Sequence, residues 1–447
     1  MGRMAQGEGM KGRFSVALGF LGLIGLGAVL LASPWARVEG VWGSPETALF
    51  TACSAVCVTG LSVVDIAAEF SFAGQIALLV LVEIGCLGLM TVSTFLMVAI
   101  GRRLSLSREF SLMNAYGVAE VQGVKSLICW VVCSMLVIEL AGATVLYVRL
   151  RDVYLSIFYS VMGFCNAGFS ILPGSIAAFA KDPVVVLVLA VETILGSIGF
   201  LVIYNLCTFK FLRRPSGGRG RLSLHTRVVL RFSLYLLAIA LIVVLSAEWN
   251  ATLGGLPLAE KLYTGFYQAV TPRTCGFCII PTEDLTPLTR HVYTLLMFIG
   301  GAPGSAAAGM KVTTLAVLIY TLTAMCRGDS ETVIDRKTIP SAIVRESLVI
   351  FMALVAFTSL VFGVLLVTEG GQPGFSSDAL FFEAVSAITT TGLSVADTTA
   401  RLSTAGKAVI MAAMFAGRLG ALTVVMMIGD RETTRHIRYP QEEIVIG

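Results

Sequence analysis

Four glycines in this chain, Gly60, Gly168, Gly276 and Gly392, each end a short apolar segment and stand among uncharged neighbours that offer chiefly their backbones. Loops of that kind are unsuited to acid–base or nucleophilic chemistry. They are suited to holding a cation with main-chain oxygen. Glycine admits left-handed conformations that turn carbonyls toward one side, and a ring of carbonyls can stand in for the water shell of a dehydrated monovalent cation without fixed negative charge. The candidate ligand-bearing residues are Val58, Thr59 and Gly60; Asn166, Ala167 and Gly168; Thr274, Cys275 and Gly276; and Thr390, Thr391 and Gly392.

The glycines belong to a hidden repeat. Ser54–Asp65 reads SAVCVTGLSVVD and Ser386–Asp397 reads SAITTTGLSVAD, identical at eight of twelve positions that include Thr, Gly, Ser and Asp at fixed offsets. Asn166-Ala-Gly-Phe-Ser170 and Thr274-Cys-Gly-Phe-Cys278 are weaker copies between them. The glycines are spaced by 108, 108 and 116 residues, about two membrane helices plus a re-entrant hairpin. Four repeats follow: 1–104, 105–215, 216–330 and 331–447.

The elements that must position these loops are membrane helices. With 56% hydrophobic and 13% charged residues, the chain falls far from a soluble enzyme, where about 25% are charged. Apolar stretches run over Phe14–Leu31, Ile76–Ile100, Val184–Phe209, Val229–Ala247, Leu348–Val367 and Ala408–Ile428, each near the roughly 20 residues a spanning helix needs. The first is read as a retained helix, longer than a signal-peptide core. Before each glycine lies a segment too short to span: Glu46–Cys57, Val153–Cys165, Leu258–Val270 and Ala379–Thr390. Helix-start residues precede three of them, Ser44-Pro45, Asp152 and Ser377-Asp378. The expected fold is all-α and integral to the membrane: helix, pore helix, filter loop and helix, four times around a pseudo-fourfold pore, with eight full transmembrane helices. Irregular backbone at membrane depth survives only where it lines a cavity or is buried in protein, and the pore helices would turn their partly negative C-termini toward the ion path.

Charge sets the expected orientation. Twenty-one Lys and Arg residues fall on the side that holds both termini and nine on the other, so by the positive-inside rule both termini are cytoplasmic. Lys311 and Arg418 remain, inside apolar segments, where an ionised group is a functional candidate. Glu83, Glu139 and Glu192 also lie in or near spans and are candidate partners for those cations; Asp65 and Asp397 follow equivalent loops and either attract cations or cap turns. The ten cysteines sit mostly in apolar segments, as small buried hydrophobes do, and Cys275 and Cys278 lack the companions of a zinc site. His225, His291 and His436 offer no metal cluster, so the chain is not read as an enzyme.

One further segment stands out. Gly300-Gly301-Ala-Pro303-Gly304-Ser-Ala-Ala-Ala-Gly309 cannot continue a helix smoothly; it is either a kink or an intramembrane loop.

The set V-T-G-L-S at Val58–Ser62, N-A-G-F-S at Asn166–Ser170, R-T-C-G-F at Arg273–Phe277 and T-T-G-L-S at Thr390–Ser394 resembles the Trk/Ktr/HKT superfamily of K⁺ transporters over nearly the whole chain. The resemblance implies K⁺ uptake through a channel-like pore, with one filter glycine per repeat at Gly60, Gly168, Gly276 and Gly392. Glycine at the first position, where some Na⁺-selective plant relatives carry serine, implies K⁺. It further implies a gate made of Gly300, Gly301, Pro303, Gly304 and Gly309 with Arg418 beneath the filter. Arg418 has a second reading, as an ion-paired or carbonyl-bonded arginine between helices. Lys311 is either part of that gate or snorkels to the membrane edge. With few residues ahead of the first helix, the chain resembles the Ktr-type membrane subunit. That implies a plasma-membrane homodimer on a cytoplasmic ring of nucleotide-binding regulatory (RCK-type) subunits, K⁺ as the permeant ion and Na⁺ as a candidate activator. This chain has no nucleotide motif of its own and no nucleic-acid partner; its basic inner loops and the tail Arg431–Gly447 are candidate docking surfaces. Cys275 and Cys278 depart from the family pattern at the third loop. The competing reading is a Na⁺/K⁺ carrier of the alternating-access type, which commonly relates its halves by inverted topology, whereas the four loops here enter from one side.

Overall fold

A computed structural model describes residues 2–88, 124–211, 222–371 and 374–420. It is helical apart from one two-stranded hairpin, β1 Val333–Ile334 and β2 Lys337–Thr338. The helices run in the order α1 Gly2–Ala32, α2 Pro45–Val56, α3 Phe72–Leu87, α4 Val124–Leu150, α5 Val153–Cys165, α6 Pro183–Ile198, α7 Phe200–Phe211, α8 Leu224–Glu248, α9 Leu258–Val270, α10 Pro287–Phe298, α11 Val312–Arg327, α12 Ser341–Glu369, α13 Ser377–Ile388 and α14 Thr404–Leu419, with short turns of helix between some of them. Among the described residues three helices are long and apolar enough to cross a membrane: Ile128–Leu150, Leu224–Glu248 and Ser341–Glu369. The first lies outside the apolar stretches read above because Glu139 interrupts its run.

The short helices α2, α5, α9 and α13 lie where the sequence puts them, and local chemistry explains their starts. Pro45 opens α2, where its missing N–H costs nothing, and Asp152 accepts from the Leu155 N–H at 2.9 Å to open α5. For α13 the cap is Ser376, which accepts from Ala379 at 3.1 Å, and not Ser377, which already lies in the first turn. The helices that follow the loops are capped alike: Ser71, Asp182, Thr286 and Ser403 each accept from an N–H of the first turn. In the last two segments the preceding long helix clamps that cap, Glu248 accepting from Thr286 N at 2.9 Å and Glu369 from Ser403 N at 3.2 Å.

The expectation of continuous spans over Ile76–Ile100, Val184–Phe209 and Ala408–Ile428 is overturned. Each helix stops early, at Leu87, Ile198 and Leu419, on a glycine with positive φ: Gly88 (+78°), Gly199 (+93°) and Gly420 (+86°). After Gly199 the chain resumes as α7 at a bend of 98°. A Cβ there would oppose the backbone, so a single glycine inside an apolar run breaks the helix without changing its hydropathy. Residues 89–100 and 421–428 of those stretches, and the tail 431–447, lie outside the described residues. In the third segment the break is longer, 299–311, between α10 and α11.

Tight packing dictates three more glycines. A Cβ at Gly85, Gly196 or Gly417 would overlap the carbonyl of Val56, Phe164 or Ile388, each four residues before a loop glycine. The pattern is Gly-x-x-Gly in all three cases, Gly85 to Gly88, Gly196 to Gly199 and Gly417 to Gly420: the first glycine seats the helix on a short-helix end and the second stops it.

Candidate cation-binding ring

The four loops meet. A Cβ at Gly60 would overlap the Ala167 carbonyl; at Gly168 it would lie 3.0 Å from the Cys275 oxygen; at Gly276, 2.7 Å from the Thr391 oxygen; and at Gly392 it would overlap the Thr59 carbonyl. Each glycine therefore abuts the residue just before the next glycine, and the fourth returns to the first. All four have positive φ, from +63° to +90°, and so do the residues two positions earlier, Val58, Asn166, Thr274 and Thr390. Glycine is required here twice over, by conformation and by contact.

The loops are held from behind. The N–H groups of Thr59, Ala167, Cys275 and Thr391 donate back to Ser54, Met162, Thr271 and Ser386, at 2.8–3.1 Å. By contrast, among the described residues no hydrogen bond is accepted by the carbonyls of Val58, Thr59, Gly60 or their counterparts in the other three loops. The non-glycine members are buried to within about 1%, so the ring concentrates main-chain oxygens without donors, against the rule that buried carbonyls are paired. Such a set fits a desolvated monovalent cation. Where the loops run on toward Asp65 and Asp397, a cavity of about 490 Å³ opens, lined by residues of all four loops including both aspartates. Asp65 is a cap there, accepting from Ala67 and Ala68; Asp397 makes no cap hydrogen bond and adopts a left-handed conformation.

On the opposite side lies the loop 299–311. It is a true loop, docked by backbone hydrogen bonds onto the break of the second segment: Ala302 N to Ser197 O at 2.9 Å, Ala306 N to Gly196 O at 3.2 Å and Phe200 N to Gly304 O at 3.0 Å. Gly301 packs against the Ser197 carbonyl and Gly300 against Ala308, leaving no room for a side chain, and Pro303 faces Gly199. Gly304 and Gly309 take positive φ to make the turns. Lys311 folds back to donate to Ala307 O at 2.6 Å. Arg418 donates to Ala306 O at 2.5 Å, Gly85 O at 2.5 Å and Cys86 O at 3.2 Å. It is thus the carbonyl-bonded arginine of the second reading, and the carbonyls it holds include the loop's own.

The acids do not pair with these cations as the sequence reading allowed. Glu83, Glu139 and the Cys165 thiol lie within 4.8 Å of one another, and Glu192 accepts from Ser160. All ten cysteines are free; Cys275 touches Thr193 Oγ1 at 3.1 Å, and Cys278 lines the cavity. Two residues escaped the sequence reading. Arg273, counted with the outer charges, is buried and donates to Ser233 of α8. Glu383 is buried behind the fourth loop and bound by Ser394. An acid in a short apolar helix was the available signal for the second; nothing local marks the first.

Comparison with known proteins places this chain in a family. The chain matches TrkH, the cation transport protein family, over residues 34–441. It is 35% identical over 441 residues to the Ktr system potassium uptake protein B of Bacillus subtilis (strain 168), covering 97% of this chain and 96% of that protein. It is 32% identical over 442 residues to the potassium/sodium uptake protein NtpJ of Enterococcus hirae, at the same coverage. The crystal structure of the potassium transporter TrkH from Vibrio parahaemolyticus shares the fold, with a TM-score of 0.73 at 16% identity over 94% of this chain and 85% of that one.

Proposed function

The chain belongs to the TrkH family of cation transport proteins, a multi-pass membrane transporter family and not an enzyme family, and from that premise we propose that it takes up K⁺ through the ring of Gly60, Gly168, Gly276 and Gly392. The observation that carries this reading is the closed, buried ring in which, among the described residues, the carbonyls of the four glycines and of the two residues before each accept no hydrogen bond. A dehydrated cation at the centre would receive oxygens from Thr59, Ala167, Cys275, Thr391 and their neighbours, while the ends of α2, α5, α9 and α13 add partial negative charge. Convergence of the loops on one ring supports a pore rather than two inverted halves of a carrier.

In this reading the loop 299–311 is the gate and Arg418 its latch. Both termini are cytoplasmic, the membrane is the plasma membrane, and two copies sit on a ring of nucleotide-binding subunits. The exposed hairpin carrying Arg336 and Lys337 is then a docking surface for that ring, and Na⁺ is a candidate activator. The relatives named for potassium and for potassium/sodium uptake support K⁺ as cargo. The test is ⁸⁶Rb⁺ and Na⁺ influx into proteoliposomes, with and without a regulatory subunit, for the unaltered protein and Gly392→Ser. Rb⁺ influx above Na⁺, with discrimination reduced by the substitution, is expected. Influx that ignores Gly392 would mean another path.

A further inference from the structure

The ring is built from neutral residues, yet one acid stands behind it. Nine positions before each ring glycine the short helices carry Thr51, Tyr159, Tyr267 and Glu383, all buried. In the second segment the Tyr159 hydroxyl lies 2.7 Å from Ser170 Oγ, two residues past the glycine. In the fourth the same contact is made by a carboxyl group: Ser394 Oγ lies 3.2 and 3.0 Å from the two oxygens of Glu383. Ser394 lines the cavity above the ring, so one hydroxyl separates the acid from the space a cation would cross.

That hydroxyl has a single proton to offer two carboxyl oxygens. Four charged or titratable groups around α13 are engaged elsewhere. Tyr293 of α10 donates to Gln268 O, Glu369 of α12 accepts from Ser403, Arg401 reaches Gly374 O, and Lys407 of α14 pairs with Glu46. Asp397, on the loop ahead of Arg401, adds like charge. Among the described residues no Lys, Arg or His forms an ion pair with Glu383. A buried carboxylate without a counter-charge is costly. A proton removes that cost, and so does a cation close by.

We propose that Glu383 is an affinity-determining group of the ring, whose carboxyl holds a proton when the ring is empty and releases it when a monovalent cation enters. Proton and cation then compete, with Ser394 positioning the carboxyl. This rests on the reading of the ring as a cation site.

The test is the apparent dissociation constant for K⁺ of the full-length protein in detergent, read from the K⁺-dependent rise in melting temperature with choline as control. The unaltered protein is expected to bind K⁺ more tightly as pH rises from about 5.5 to about 8.5, by up to about tenfold per pH unit for one displaced proton. Glu383→Gln, which keeps the hydrogen bond and loses the charge, is expected to bind K⁺ about tenfold more weakly at the alkaline end and to lose the pH slope. Ser394→Ala leaves the carboxyl without its donor, so the slope persists with its midpoint moved to higher pH. A merely structural role would change melting without K⁺ and leave the slope intact. The same K⁺ affinity and slope in Glu383→Gln as in the unaltered protein overturns the proposal; if that variant does not fold, an unmoved midpoint in Ser394→Ala does so. Melting of the unaltered protein that ignores K⁺ overturns the ring reading itself, and this inference with it.

Discussion

Arg418 of α14 donates a hydrogen bond to the carbonyl of Ala306, 2.5 Å away in the loop 299–311. The other end of the guanidinium reaches Gly85 and Cys86, where α3 stops, so one side chain binds the breaks of the first and third segments to the fourth. Hydrogen bonds from a charged group contribute about 1.5–3 kcal/mol each, and losing the one to Ala306 frees the loop by that order.

With the loop as the proposed gate, Arg418→Ala is expected to raise Rb⁺ influx into proteoliposomes by about tenfold or more. Arg418→Lys, with a point charge in place of a planar fork, should fall between. Influx below that of the unaltered protein would contradict a restraining role.

The loop has a second anchor at Gly199. Its φ of +93° disfavours any side chain, and a Cβ there would lie 2.8 Å from the Pro303 oxygen. Gly199→Ala is expected to push the loop from its dock, costing about 1–3 kcal/mol, to lower the melting temperature and to raise Rb⁺ influx. A lowered melting temperature with unchanged influx would separate the dock from the gate.

Much of this was legible in the sequence, and the reasons differ by element. The short helices could be read because an apolar run of a dozen residues bounded by Pro, Asp or Ser is too short to span, and the ring glycines because their polar neighbours repeat at fixed offsets. The ends of α3, α6 and α14 were hidden, since Gly88, Gly199 and Gly420 break a helix without altering its hydropathy. The break in the third segment showed only because four glycines and a proline crowd it. The partners of Arg418 and Arg273 were beyond reach because they lie far along the chain, as Arg418 and Gly85 do, and only packing brings them together; Ser394 is eleven residues from Glu383, but it meets the acid only because the loop after α13 folds back on that helix.

The glycines that seat α3, α6 and α14 allow an internal comparison. Gly85→Ala and Gly417→Ala each drive a Cβ into a carbonyl at the end of a short helix, a backbone contact that cannot rotate away. Each should cost about 1–3 kcal/mol and lower the melting temperature in detergent. Gly363→Ala in α12, with nothing within 4 Å, should be neutral or gain up to about 1 kcal/mol from helix propensity. Equal effects at the three positions would mean that the seats are not under load.

The last contact closes the circle at the rim. Lys407 of α14 donates to Glu46 at the start of α2 at 2.9 Å, and Thr404 donates to the same carboxylate at 3.1 Å, so the fourth segment is tied to the first. The Lys407 hydrogen bond, then that of Thr404, holds the Glu46 carboxyl below its ordinary value near 4.5. A depressed folded-state pKa gives stability that is full above the unfolded value and fades as pH falls through the folded one. The melting temperature of the unaltered protein should therefore exceed that of Glu46→Gln slightly at neutral pH, as befits a half-buried pair at the rim, and the gap should close on acidification below about pH 4.5. High salt should shrink the gap at neutral pH as well, because the pair sits where ions screen it. A gap that persists in acid would assign the difference to packing of the Glu46 side chain rather than to its charge.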